Sequence, residues 1–284
     1  MRFDGSNISL VQNVPTVKVC HISVTCDSYC FGKTTYGLDH PMSAVVSRQS
    51  QTQLGKIKKS LREKIHSGTL SEGQKLPSER ELSQLFSTTR ITLKDALVSL
   101  ETEGLIYREE RRGWFVSPDR ICYNPLSRTH FHQMIREQHR IAETKLVNVR
   151  SEMASGDYAR ALEVEHATPI HIIERLRYID GRAVLFVENV LKAPLFDGIL
   201  SENLTMSLTG IYRDKYGYET LRSRFDVIPT SAPSHVAKAL NLVEGQPVLK
   251  ICRVNDKQDG ELMDCEYEYW RPDAVRIRID SSSE

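Results

Sequence analysis

Apolar positions first fall into a helical rhythm at Gln53: Leu54, Ile57, Leu61 and Ile65 share one face, and Gly68 stands where a C-cap would. After Gly73 to Leu76, Pro77 precedes Ser78-Glu79-Arg80-Glu81. This is a Ser-x-x-Glu capping box that opens a short helix through Leu82, Leu85 and Phe86. Ser87-Thr88-Thr89 breaks the period and supplies a second N-cap, and Ile91, Leu93, Ala96, Leu97 and Leu100 predict a third helix ending at Gly104. Leu105 to Arg108 and Gly113 to Val116, separated by the charged bend Glu109 to Arg112, predict a two-stranded hairpin closed by Pro118. Three helices and a hairpin in that order predict a winged helix-turn-helix.

Beyond Asn124-Pro125 the pattern changes. A helix is predicted over 128–140, and then β-branched runs dominate: Ile170 to Tyr178, Val184 to Val190, and Val248 to Val254. Two of them meet Asp-Gly turns, at Asp180-Gly181 and Asp259-Gly260, which signal hairpins. Each hairpin starts near a proline, Pro169 or Pro247, and returns along a strand carrying acidic residues, a weak internal repeat. With helices such as 233–240 packed on one sheet, the expected class is α+β, an antiparallel sheet domain behind the winged helix-turn-helix. The expected division is an extension over 1–47, a winged helix-turn-helix over 48–118, a linker over 119–127 and a sheet domain over 128–284. The extension is read as poorly ordered, with Met42 as an alternative start.

Charge sharpens this division. The 284 residues carry a net +1, but 48–120 hold 14 Lys and Arg against 10 Asp and Glu, whereas 121–284 hold 21 against 24. The middle segment is therefore the candidate polyanion binder. No run of 18 apolar residues and no signal-peptide pattern occurs, so a soluble cytoplasmic chain is expected, with no membrane partner. The six cysteines (Cys20, Cys26, Cys30, Cys122, Cys252, Cys265) lack framework spacing and read as reduced thiols. Cys20-His21, Cys26 and Cys30 match no zinc spacing, so no metal is expected. No Ser/His/Asp order or Gly-rich phosphate loop appears, and no cofactor, catalytic residue or enzymatic activity is expected.

Leu76-Pro77-Ser78-Glu79-Arg80-Glu81-Leu82, Thr89 to Leu97, Leu100-x-x-Glu103-Gly104-Leu105-Ile106 and Gly113 to Val116 together resemble the N-terminal domain of the GntR family of bacterial regulators. A recognition helix reaches base edges with its first turn, where Thr89, Arg90 and Thr92 stand, and Arg90 suits guanine O6 and N7. The resemblance also places Arg80 at the DNA. Lys94, one turn along, is expected at phosphate. The wing residues Arg111, Arg112 and Gly113 are expected in the minor groove. The family commonly has Gly where Arg111 stands and Thr where Trp114 stands. Lys56, Lys58, Lys59 and Arg62 are read as solvated surface.

The second half resembles the UTRA effector domain of the HutC subgroup, with a chorismate-lyase-like fold. The matching stretches are Arg175 to Gly181, Glu188, Ser207-Leu208-Thr209 ahead of Tyr216-Gly217, Gly245 to Leu249, and Gly260 to Asp273. Strand geometry alone puts Arg175 and Arg177 on one face, as an anion clamp or as exposed arginines facing glutamates. The resemblance implies that Ser207 and Thr209 lie at the anion end, although Thr209 stands where the family has tyrosine. It also implies that Glu188, Asp264 and Glu266 accept from hydroxyls or an amine, and that Trp270 closes the apolar side. Arginines beside carboxylates suit a zwitterion. The run Glu266 to Arg271 resembles phosphonate-utilisation members, which implies a phosphonate such as 2-aminoethylphosphonate, with a sugar phosphate or amino-sugar phosphate as the alternative and a lyase-like enzyme fused to a DNA-binding domain as a remote one. The whole implies a homodimeric regulator of palindromic double-stranded operator DNA, repression relieved by effector, and a hinge over Ser117 to Leu126.

Overall fold

The computed structural model describes residues 52–280 apart from Arg128 and His166. The expected extension, with its alternative start and three of its cysteines, lies outside the described residues. Three helices, α1 (Gln53–His66), α2 (Glu79–Leu85) and α3 (Arg90–Thr102), are followed by the antiparallel pair β1 (Ile106–Glu109) and β2 (Gly113–Val116). The capping box forms in full: Ser78 Oγ accepts from Glu81 N, and the Glu81 carboxylate accepts from Ser78 N at 2.8 Å. Leu93, Ala96, Leu97 and Leu100 of α3 close over Ile57, Leu61, Leu82 and Ile106. Two periodic residues depart from the expected core, Leu85 being 64% and Ile91 76% exposed. Trp114 belongs to this core, its Nε1 donating to Glu79 at 2.9 Å.

The chain then runs through β3 (Ile121–Tyr123), α4 (Phe131–Glu137), β4 (Ala142–Met153), α5 (Gly156–Ala161), β5 (Pro169–Ile179) and β6 (Arg182–Lys192). Next come two 3₁₀ turns, α6 (Leu208–Tyr216), β7 (Thr220–Ser231), α7 (Ser234–Ala239), β8 (Pro247–Lys257), β9 (Leu262–Trp270) and β10 (Val275–Ile277). Six strands form one antiparallel sheet in the order β4-β5-β6-β9-β8-β7. The α+β class is thus as expected. Asp180 and Gly181 both adopt positive φ, +48° and +78°, which is what a two-residue hairpin turn matching strand twist requires.

The weak repeat in the sequence is a repeat in the fold. The order α4-β4-α5-β5-β6 recurs as α6-β7-α7-β8-β9, and the halves join along β6 and β9. In both halves the second helix (α5, α7) packs on one sheet face, around Ile170, Ile172, Phe186, Val190 and Val248. The other face is covered at two separate places. Phe131 and Ile135 of α4 pack over Val187, Ile251 and Trp270, while Leu208 and Tyr212 of α6 pack over Ile173 and Leu191. A gap is left between these two clusters.

The segment expected as a linker and hinge pairs with the end of the chain's sheet domain. β3 pairs in parallel with β10, Ile121 opposite Val275, and the Gln138 side chain bonds both the N–H and the carbonyl of Cys122, at 2.7 and 2.9 Å. The helix expected over 128–140 shortens to α4, because the chain turns at His139, φ +58°, to enter β4.

Candidate functional site

On the first unit, Arg80 of α2, Thr89 at the start of α3, and Arg90 and Lys94 of α3 are exposed. Thr89 caps α3: its Oγ1 accepts from Thr92 N at 3.2 Å and lies 3.0 Å from Thr92 Oγ1. The two hydroxyls expected at bases are therefore engaged with each other, and Thr92 is half-buried. Lys58 and Arg62 instead meet Glu103, at 2.8 and 2.6 Å, as surface pairs. At the wing, Arg111 is at the tip with its side chain 90% exposed and φ +60°. A left-handed residue is required there, and glycine would adopt that conformation without strain. Arg112 is tethered to Glu109 and lies over the Phe115 ring, so Arg111 is the freer of the two wing cations. Gly113 also takes a positive φ, +100°.

In the sheet domain the gap between α4 and α6 is a cavity of about 660 Å³. Its floor is made by alternate residues of four adjacent strands: Arg175 and Arg177 of β5, Asn189 of β6, Asp264, Glu266, Glu268 and Trp270 of β9, and Arg253 and Asn255 of β8. One-sided projection at period two brings them together. Ser207 and Thr209 line it from the first turn of α6, where Ser207 Oγ accepts from Gly210 N at 3.2 Å. The partial positive end of that helix favours an anion.

Glu188 is the exception among the expected residues. It sits one position from Asn189, and a shift of one residue along a strand changes the face. Its carboxylate meets His235 of α7 at 3.2 Å, on the opposite side of the sheet.

Arg253, Glu268, Asn189, Asn255 and Tyr212 line the cavity and were missed by sequence reasoning. A signal for Arg253 existed in the repeat: Arg175 follows Pro169 by the same six positions as Arg253 follows Pro247.

The three arginines and three carboxylates form a graded network. Arg175, 3% exposed, donates through Nε and Nη2 to Asn189 Oδ1 at 3.1 and 2.8 Å, and through Nη1 to the Met206 carbonyl at 3.1 Å. It thereby pins the approach to α6. Burial and then Arg177 lower its pKa to about 9, which still leaves it charged at neutral pH. Arg253 lies 3.6 Å from both Glu266 and Glu268 and donates to Tyr123 Oη, which in turn donates to Glu268 at 3.1 Å. Burial pushes Glu266 up, but Arg253, Arg177 and Arg175 outweigh it, so this carboxylate is held below its ordinary range. Asp264 has only the Asn255 amide, at 3.2 and 3.3 Å, and burial together with Glu266 raises its pKa to about 7. Three polar groups facing this network have no partner: Arg177 Nε, Arg253 Nε and Tyr212 Oη are buried without a hydrogen bond. Trp270 lines the apolar side, its Nε1 donating to Glu268 at 2.7 Å.

The next residue after Trp270 touches the wing. Arg271, 1% exposed, donates to the Arg108 carbonyl of β1 and the Leu240 carbonyl, each at 2.9 Å. Tyr107 of β1 is stacked on Phe115 and covered by Arg182, 3.5 Å from its ring centroid, and by Arg271, at 5.2 Å. Asp273 pairs with both arginines, and Gln246 donates to Glu101 of α3 at 2.8 Å. Among the described residues no cluster able to hold a metal ion occurs, and no helix is long and apolar enough to cross a membrane.

Comparison with known proteins follows the same division. Residues 54–116 match the family described as bacterial regulatory proteins, gntR family, and residues 137–276 match the UTRA domain. YihL of Escherichia coli (strain K12), an uncharacterized HTH-type transcriptional regulator, is 28% identical over 233 residues, covering 82% of this chain and 99% of YihL. The HTH-type transcriptional repressor NagR of Bacillus subtilis (strain 168) is 27% identical over 218 residues, 76% of this chain and 89% of NagR. Among solved structures, PhnF from Mycobacterium smegmatis superposes with a TM-score of 0.56 at 22% identity, over 80% of this chain and 100% of PhnF. That likeness speaks for the fold.

Proposed function

The chain belongs to the GntR family of DNA-binding transcriptional regulators with a UTRA domain, and from that premise we propose that it is a cytoplasmic homodimeric repressor whose operator affinity is set by a zwitterionic phosphate or phosphonate in the α4–α6 cavity. The observation that carries this reading is the set of unpartnered buried donors, Arg177 Nε, Arg253 Nε and Tyr212 Oη, facing a floor that also holds Asp264, Glu266 and Glu268. Buried donors without acceptors cost about 1–3 kcal/mol each, and a ligand that supplies oxygens recovers it. The phosphoryl group takes the arginine and α6 end. An amine or hydroxyls take Asp264 and its neighbours.

The cavity, at about 660 Å³, lies within the range of about 300–1,000 Å³ that buries drug-sized ligands. An amino-sugar phosphate fills such a volume better than 2-aminoethylphosphonate, which shares its chemistry but not its size. DNA recognition is assigned to Arg80, Arg90 and Lys94 with the tip residue Arg111, in two half-sites related by the dimer axis. Effector binding shifts the operator equilibrium by coupling on the scale of about 1–3 kcal/mol.

The test is a thermal-shift and calorimetry series with glucosamine 6-phosphate, 2-aminoethylphosphonate, glucose 6-phosphate and inorganic phosphate. A ligand present at a hundred times its Kd stabilises by about 2.7 kcal/mol. The amino-sugar phosphate is expected to give the largest shift, and Arg253→Met to abolish it. Equal indifference to all four compounds would overturn the zwitterion assignment.

A further inference from the structure

The outward side of α3 carries an apolar residue where a DNA-facing helix has its most valuable position. Ile91 is 76% exposed in the first turn, between Arg90 and Thr92, while the core of this unit is completed by Leu93, Ala96, Leu97 and Leu100. Exposure of one aliphatic side chain is ordinary by itself. Its neighbours make this one informative. The Thr89 and Thr92 hydroxyls, 3.0 Å apart, bond each other and Thr89 also caps the helix, so beside the exposed Thr89 the first turn presents outward one guanidinium and one branched aliphatic group that make no such local bond. A β-branched residue in a helix is held near one χ1 rotamer, so the Cγ2 methyl of Ile91 occupies a fixed place beside Arg90. In the major groove the one apolar feature of a base edge is the 5-methyl of thymine.

We propose that Ile91 is a specificity-determining residue that reads the 5-methyl group of a thymine adjacent to the base pair addressed by Arg90. The assignment rests on α3 being the helix that enters the major groove. Arg90 selects by hydrogen bonding and Ile91 by burial of the methyl, so discrimination at the second position is against cytosine and uracil equally.

Replacing thymine by deoxyuridine deletes that methyl and leaves every base pair and the protein unchanged. A duplex selected from a random pool by the full-length protein serves as the probe, each thymine being exchanged singly and Kd read by fluorescence anisotropy. At one thymine per half-site the exchange is expected to weaken wild-type binding about fourfold, the value of one buried methyl-sized group. Ile91→Ala is expected to lose at least that factor on the thymine duplex and to bind thymine and uracil duplexes alike. 5-Methylcytosine at the same position should recover wild-type affinity relative to cytosine. A uracil scan without any loss, or a loss that survives in Ile91→Ala, overturns the proposal. Failure of Arg90→Ala to change discrimination anywhere would instead overturn the placement of α3, a separately readable result.

Discussion

Replacing Arg271 by leucine removes a buried side chain that grips the wing and the sheet domain at once. Its guanidinium donates at 2.9 Å to the carbonyls of Arg108 and Leu240 and lies 3.4 Å from Asp273. Hydrogen bonds from a charged donor contribute about 1.5–3 kcal/mol each, so the two carbonyl bonds represent about 3–6 kcal/mol. Asp273 keeps Arg182 as a partner, and leucine refills part of the volume, which brings the expected loss to about 3 kcal/mol. The chain has two tryptophans, and each reports on a different core: Trp114 on the winged unit and Trp270 on the sheet domain. Urea unfolding followed at each tryptophan, with the other changed to phenylalanine, separates the two. In the otherwise native chain the transitions should coincide. In Arg271→Leu the Trp114 transition should move about 1 M lower in urea than that of Trp270, for a slope of about 2–3 kcal/mol per M. Coincident transitions displaced by less than about 1 kcal/mol would show that the grip contributes nothing to joining the units.

Asp264→Asn should stabilise the unliganded protein at pH 7.5 by about 2 kcal/mol and flatten its pH profile. The folded pKa of about 7 lies above that of the unfolded chain, so the native state binds the extra proton and stability falls as pH rises from about 4 to 7. Calorimetric melting temperatures across that window check it, and a steeper native-like slope in the variant would contradict it. Gly104→Ala should cost about 1–2 kcal/mol, because φ is +79° and the new Cβ would lie 2.1 Å from Arg120 Nη2, displacing it from the Glu103 carbonyl; chemical denaturation reads this directly. Arg90→Ala should lose about 1–3 kcal/mol of specific binding and blur one base position, whereas Lys94→Ala should weaken all duplexes evenly and reduce the salt slope by about 1. Salt-dependent anisotropy titrations distinguish the two.

Legibility followed the range of the interactions. The winged unit was readable because its signals are local: the capping box at Ser78 and the second N-cap at Thr89 lie within a few residues of the helices they start. Ile91 failed as a core residue because periodicity names apolar positions but not the direction of a helix's first turn, where the partner element ends. In the sheet domain, composition and Asp-Gly turns gave the hairpins, and the alternation of Arg175 and Arg177 gave one strand of the cavity floor. Which return-strand residues joined them depended on register across β6 and β9. Glu188 therefore fell on the wrong face, while Asp264, Glu266 and the unexpected Glu268 fell on the right one. The anchoring of residues 121–123 was invisible for the same reason: their partner strand lies some 150 residues downstream, and three residues carry no pattern.

The repeat and the grip on the wing together give the strand alternation of β9 two uses. Asp264, Glu266, Glu268 and Trp270 project into the cavity, and the strand ends at Arg271, which holds the wing. Tyr123 approaches the same network from the other direction, its hydroxyl shared between Arg253 and Glu268, on the strand that follows the winged unit in the chain. In the proposed function an effector oxygen takes the unpartnered Nε of Arg253, whose other two nitrogens already hold Tyr123 and both glutamates. A coupling of about 1–3 kcal/mol needs no more than one such hydrogen bond to differ between two arrangements. The short path matters because a closely packed interior passes small displacements on instead of absorbing them. In this fold the charged floor and a contact to the wing are neighbours on one strand, Glu268 and Trp270 in the cavity and Arg271 on the Arg108 carbonyl.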